Sequence, residues 1–168
     1  AVRHRSEIVG RAQARALPIA SHDDATHGHV QEAIANGMTI AEFPTTVDAA
    51  RACQDHGIKV MMGAPNLIRG GSHSGNVAAK DLAEADLLDI VSSDYVPSSL
   101  LSAALMLGEI WGNPARGIAT VTAAPAAAAG LSDRGQLLPG ARADVIRVAR
   151  VGRAGAVRGV WVQGSRVA

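Results

Sequence analysis

The sequence predicts an α/β fold, with parallel strands and helices over residues 1–112 and a small β appendage over 113–168. Three observations lead there. Short apolar runs alternate with amphipathic stretches before Gly112, at the spacing of parallel strands joined by right-handed crossovers. Hydrophobic residues make up 48% and charged residues 18%, enough for a buried core and unlike a disordered tail. After Gly112 the pattern changes to short helices opened by proline, then to β-like runs punctuated by glycine turns. An open doubly wound sheet and part of a (β/α)8 barrel both fit. Both place ligand chemistry at the carboxyl ends of the strands.

The elements follow in order. Arg3–Ala16 is helix-like, and Pro18 breaks it into a strand over Leu17–Ser21. Thr26–Asn36 has Val30, Ala33 and Ile34 on one helical face, with Gly37 as the stop. A strand over Thr39–Phe43 follows. Thr45 with Asp48 resembles a capping box, opening a helix that runs to His56 and stops at Gly57. Lys59–Gly63 is the next strand, with Met61 and Met62 as core. A Gly/Ser-rich loop over Ala64–Asn76 leads to a helix over Val77–Glu84, a strand over Leu88–Ser92 and a helix over Ser98–Trp111. Pro114 and Pro125 open two short helices. Ala143–Val148 and Val157–Val162 are β-like, with Gln163-Gly164 as a hairpin turn before Ser165–Val167.

Composition excludes several function classes. Aromatics are 2%, too few for a base-stacking nucleic-acid platform. A net charge of +1 gives no overall pull toward DNA or anionic membrane. The single cysteine, Cys53, rules out a disulfide framework and reads as a packing residue. No apolar run reaches a membrane span and the start lacks a signal-peptide core, so a soluble cytoplasmic protein is expected. Ala1 followed by an arginine-rich stretch reads as the interior of a longer chain. The charge is unevenly spread: residues 20–110 hold twelve acids against four cations, and the remainder twelve arginines against three acids. Asp81, Glu84, Asp86 and Glu109 read as solvated helix faces.

Each strand is followed by residues capable of chemistry: Ser21-His22-Asp23-Asp24, Glu42-Phe43-Pro44-Thr45-Thr46, Ala64-Pro65-Asn66 and Ser92-Ser93-Asp94-Tyr95. An imidazole and carboxylates arriving at one rim can converge on a divalent cation and lower the pKa of its bound water. His22 reads as a ligand or as a helix-start residue, and Asp24 as the cap of the following helix. Glu42 reads as a metal ligand or as the partner of an arginine, because a carboxylate in an apolar strand is costly alone. Asp94 is the foremost catalytic candidate. His4, His27, His29 and His56 read as surface residues. Over Arg69–Asn76, glycines allow backbone N–H groups to form an anion nest, serines add donors, and a helix start follows. Arg69 adds a fork of donors for phosphate oxygens. No Gly-Lys-Ser/Thr follows, so this is not a Walker loop, and a flexible linker is the alternative.

The tail from Asn113-Pro114-Ala115 through Thr122–Ala126, Gly130-Leu131, Asp133-Arg134-Gly135 and Leu138–Asp144 resembles the closing segment of amidohydrolase-superfamily enzymes. Within that superfamily ASHDDAT, AEFPTT, VMMGAPN, RGGSHSGN and SSDYVPSSLL, spanning about residues 20–101, resemble a group of phosphonate-catabolism diphosphatases. The resemblance implies a metal-dependent hydrolase on a (β/α)8 TIM-type barrel, of which this chain matches strands five to eight over 1–112. Residues 113–168 then belong to a small composite β domain.

The implied substrate is a phosphorylated ribose phosphonate that loses pyrophosphate, and the implied cofactor a divalent metal such as Zn or Mn. His22 matches the metal ligand after the fifth strand. Asp94 matches the metal-binding, proton-handling aspartate after the eighth. Glu42 stands at a sixth-strand position that usually holds histidine. Arg69, Ser72, His73 and Asn76 are the candidates for binding the triphosphate or phosphonate. Metal-bound hydroxide would attack phosphorus, with Asp94 taking the proton and Arg69 steadying the leaving pyrophosphate. The first-strand His-x-His pair and the fourth-strand metal bridge have no counterpart in these 168 residues, so little or no activity is expected of the chain alone, and homo-oligomerisation stays open. The alternatives are another amidohydrolase, acting on a cyclic amide or an amine, and a non-catalytic phosphosugar-binding remnant.

Overall fold

Four parallel strands organise the computed structural model, which describes residues 2–72, 74–152 and 154–168. They are β1 (Ala20–His22), β2 (Ile40–Glu42), β3 (Lys59–Gly63) and β4 (Ile90–Ser92), in that spatial order. The register is level: His22 stands beside Glu42, Glu42 beside Met61, and Gly63 beside Ser92. All four carboxyl ends therefore reach one rim. β1 and β4 are the edges, so this is an open parallel sheet and not a closed barrel.

Helices α1 (Val2–Gln13), α2 (His27–Ala35), α3 (Val47–Asp55), α4 (Ala64–Arg69), α5 (Ala79–Glu84) and α6 (Ser99–Ile110) join and flank the strands. Val60, Leu67, Leu82 and Leu107 are fully buried, and alanines 33, 41, 49, 50, 79, 83 and 103 fill the space between them. With few aromatics, the core is closed by small side chains that let helix and sheet backbones approach. No helix among the described residues is long and apolar enough to cross a membrane.

Three local expectations are corrected. Ala64–Arg69 is a helix, not the start of a loop: Pro65 lies in its first turn, where a missing N–H costs nothing, and Gly70 ends it at φ 79°. The cap of α3 is Thr46, whose side chain accepts from Ala49 N, while Thr45 spends its backbone joining neighbouring loops. Asp24 is not the cap of α2. Thr26 is, and Asp24 is buried, accepting a hydrogen bond from Ser21 Oγ.

The second unit holds α7 (Pro114–Ala119), α8 (Ala123–Ala128) and an antiparallel sheet of β5 (Val145–Val151), β6 (Ala154–Val162) and β7 (Ser165–Arg166). Asn113 caps α7 through Arg116 N, and Gln163-Gly164, both at positive φ, turn β6 into β7. The sheet rests on α6 at Gly155, where a Cβ would lie 2.8 Å from Leu105. Arg150 pairs there with Glu109.

Two predictions follow from this packing. A Cβ at Gly117 would stand 2.3 Å from the Ala104 carbonyl and 2.5 Å from Gly108 N, where α6 and α7 cross. Gly117→Ala is expected to cost up to about 3 kcal/mol in urea unfolding, since backbone must move. Burial, with Asp24 nearby as a second cause, pushes the Cys53 thiol up to about 11. The unfolded chain therefore loses this proton first, and stability falls as pH rises from about 9 to about 11. Cys53 should resist alkylation at pH 8 in native protein and react promptly in urea. Fast native labelling would contradict its burial.

Candidate active site at the strand ends

The chain leaves three of the four strands through left-handed residues at the rim. Asp23 directly follows β1 at φ 58°, Phe43 follows β2 at φ 57°, and Asp94 lies two residues beyond β4 at φ 48°. Aspartate tolerates this left-handed region, whereas a bulky residue such as Phe43 adopts it only when its surroundings impose it. The ladder supplies that constraint, because Asp23 N donates to the Glu42 carbonyl and Phe43 N to the Met61 carbonyl. Beyond the rim, Thr45 N donates to the Asp24 carbonyl, Val77 N to the Thr45 carbonyl and Thr46 Oγ1 to the Ala25 carbonyl. Successive loops are thus stitched side by side.

A cleft of about 180 Å³ opens at this rim, lined by Asp23, Arg69, Ser72, Asn76, Asp94 and Tyr95 among others. It is smaller than the roughly 300–1,000 Å³ pockets that enclose whole drug-sized ligands. Gly63 forms part of the floor, and a Cβ there would lie 3.0 Å from Asp94 Oδ2. A side chain at that position would crowd the Asp94 carboxylate at the end of β3.

Arg69 lies in the last turn of α4, and among the described residues no carboxylate pairs with it. Its guanidinium stands over the Tyr95 ring, 5.6 Å from the centroid. The segment after it is held by Asn66, whose Oδ1 accepts from Ala79 N and whose Nδ2 donates to the Val77 carbonyl. The first N–H of α5 is therefore spent on Asn66 and does not face a ligand. Gly70 and Gly75 are both left-handed, and Ser72 Oγ accepts from Ser74 N. His73 lies outside the described residues.

His22 ends β1, at the opposite edge of the sheet from β4, and the cleft shared by Asp94 and Arg69 does not include it. It lines a neighbouring cavity with Asp24 and His29, and Asp23 borders both spaces. His22 Nδ1 is 3.1 Å from Asp23 Oδ2, its Nε2 is 3.8 Å from Glu42 Oε2, and its ring meets Phe43 edge-on. Glu42 thus has histidine, not arginine, as its neighbour. His22 and Glu42 offer one two-donor edge, but among the described residues no three His, Cys, Asp or Glu side chains converge on a common point. Asp94 lines the other cleft, with Arg69, Ser72 and Asn76. The described residues therefore do not make up a complete metal site.

Sequence reasoning places Asp23, Asn66 and Tyr95 among the strand-end residues but gives none of them a role at the cleft. Asp23 is overshadowed by its neighbours His22 and Asp24. Asn66 falls within the stretch read as loop. Tyr95 is a scarce aromatic directly after Asp94, and that adjacency is the signal it offers.

No family model matches the chain. It is 49% identical over 167 residues to the alpha-D-ribose 1-methylphosphonate 5-triphosphate diphosphatase of Escherichia coli strain K12, covering 98% of this chain and 44% of that protein. The chain thus spans less than half the length of this relative. Among solved structures, an amidohydrolase superposes with a TM-score of 0.70 at 20% identity, covering 95% of this chain and 46% of its own. A prolidase complexed with N-methylphosphonate-L-proline also gives 0.70 at 20% identity, with coverages of 95% and 47%. At that identity the likeness concerns the fold. The chain is accordingly a relative of alpha-D-ribose 1-methylphosphonate 5-triphosphate diphosphatase, matching its C-terminal part, on an α/β fold shared with about half of each of these solved amidohydrolase-type chains.

Proposed function

We propose that this chain carries the phosphate-binding and proton-accepting side of a diphosphatase site that releases pyrophosphate from alpha-D-ribose 1-methylphosphonate 5-triphosphate. The observation behind the reading is that one cleft at the strand ends takes in both Asp94 and Arg69, with Ser72 and Asn76 beside them. The 49% identity to the Escherichia coli diphosphatase favours this substrate over a cyclic amide or an amine.

In this reading Arg69, Ser72 and Asn76 hold non-bridging oxygens of the terminal phosphates and draw off the charge of the departing pyrophosphate. Asp94 accepts the proton of the attacking water. Phosphoryl transfer asks for positioning and charge stabilisation more than covalent help, and these groups supply that. A catalytic zinc site ordinarily has three protein donors. His22 and Glu42 provide two, so no step is assigned here to an ion, and turnover requires donors from outside the described residues. The missing third donor also favours a second reading, a phosphosugar-binding module without chemistry.

Isothermal titration with inorganic tripolyphosphate tests the binding side. Arg69→Ala is expected to weaken affinity about tenfold or more, the scale of a lost charge-assisted hydrogen bond. Asp94→Asn removes a like charge and should tighten it by about twofold to tenfold. Unchanged affinity in both variants would refute the site.

Zn²⁺ titration of the chain is expected to show no tight 1:1 site, in contrast to the roughly 10–16 kcal/mol of complete structural sites. Added Mn²⁺ or Zn²⁺ should give no steady pyrophosphate release. A tight site abolished by His22→Ala, or sustained turnover by the chain, would mean that the donors are complete within it.

A further inference from the structure

We infer that Tyr95 is a positioning residue that presents Arg69 to the terminal phosphates, so that this subsite takes a diphosphate group through an arginine held over an aromatic ring. The inference rests on the proposed phosphate-binding role of Arg69. Its own observations are separate. The Arg69 guanidinium lies over the Tyr95 ring at 5.6 Å, both residues line the cleft, and no carboxylate among the described residues competes for that cation.

Arg69 ends a six-residue helix and is followed by the left-handed Gly70, so nothing in the backbone beyond it restrains its long side chain. The aromatic face does. A guanidinium held against a ring face by a cation–π contact still has N–H donors to offer, which bidentate phosphate binding needs. Tyr95 is itself 58% exposed, with little buried contact to lose, so its role is legible apart from folding.

The cleft is also polarised. Asp23 and Asp94 supply its carboxylates, and Arg69 is the cation of its described lining. A polyphosphate entering it must turn toward Arg69, Ser72 and Asn76, and away from the two acids. Holding Arg69 in place therefore fixes the orientation of the anion as well as its affinity.

The test is a double-substitution cycle at Arg69 and Tyr95, read by titration with inorganic pyrophosphate at fixed salt, with thermal melts confirming folding. Tyr95→Ala is expected to weaken binding about two- to fivefold, the range of an exposed cation–π contact. Tyr95→Phe, which keeps the ring, should stay within about twofold of the unaltered chain. Tyr95→Ala should have no further effect once Arg69→Ala is present. Equal losses in Tyr95→Phe and Tyr95→Ala would overturn the cation–π role, as would additivity in the cycle. A loss in Arg69→Ala with none in Tyr95→Ala would overturn this inference and leave the phosphate site standing. No loss in Arg69→Ala would overturn both.

Discussion

Level pairing of four parallel strands is the constraint on which the rim depends. With His22, Glu42 and Met61 side by side and Gly63 beside Ser92, every strand ends at nearly one height. After β1, β2 and β4 the chain turns away through left-handed residues that cost roughly 1–2 kcal/mol each when they are not glycine, whereas β3 runs straight into α4. Backbone bonds from Asp23 and Phe43 into the next strand hold two of these turns in place. A slip of one register would move His22 and Glu42 to the other face of the sheet and dissolve the rim.

The charges sort themselves against this frame. Many acids of the central segment are neutralised away from the rim: Glu32 pairs with Arg5, Asp86 with Arg116, Asp89 with Lys59 and Glu109 with Arg150. Asp23 and Asp94 remain in the cleft that Arg69 also lines. Part of the acidic excess of residues 20–110 is thus taken up in ion pairs. The part that bears on ligand chemistry comes down to two carboxylates and one guanidinium.

How much of this is legible in the sequence depends on how local the signal is. Lys59–Gly63 stands out because a buried apolar run is bounded by glycine on both sides, and Asp94 because a carboxylate ends a strand. The helix Ala64–Arg69 is hidden because it follows β3 without a linker and the glycines after it colour the whole stretch as loop. Thr45 and Thr46 are equivalent in sequence, and only the direction of the loop bonds selects Thr46 as the cap. Composition suggests a solvated cap for Asp24, but burial beside Ser21 is a tertiary fact. The separation of His22 from Asp94 is likewise tertiary, since His22 ends β1 and Asp94 follows β4, at opposite edges of the sheet.

A crystal structure of the chain grown with inorganic pyrophosphate is the most direct measurement of whether one rim unites anion binding and the candidate base. The diphosphate is expected between Arg69, Ser72 and Asn76, with the Asp94 carboxylate on the facing wall and Tyr95 beneath the guanidinium. Pyrophosphate bound elsewhere, or Arg69 and Asp94 turned to different faces of the sheet, would contradict it.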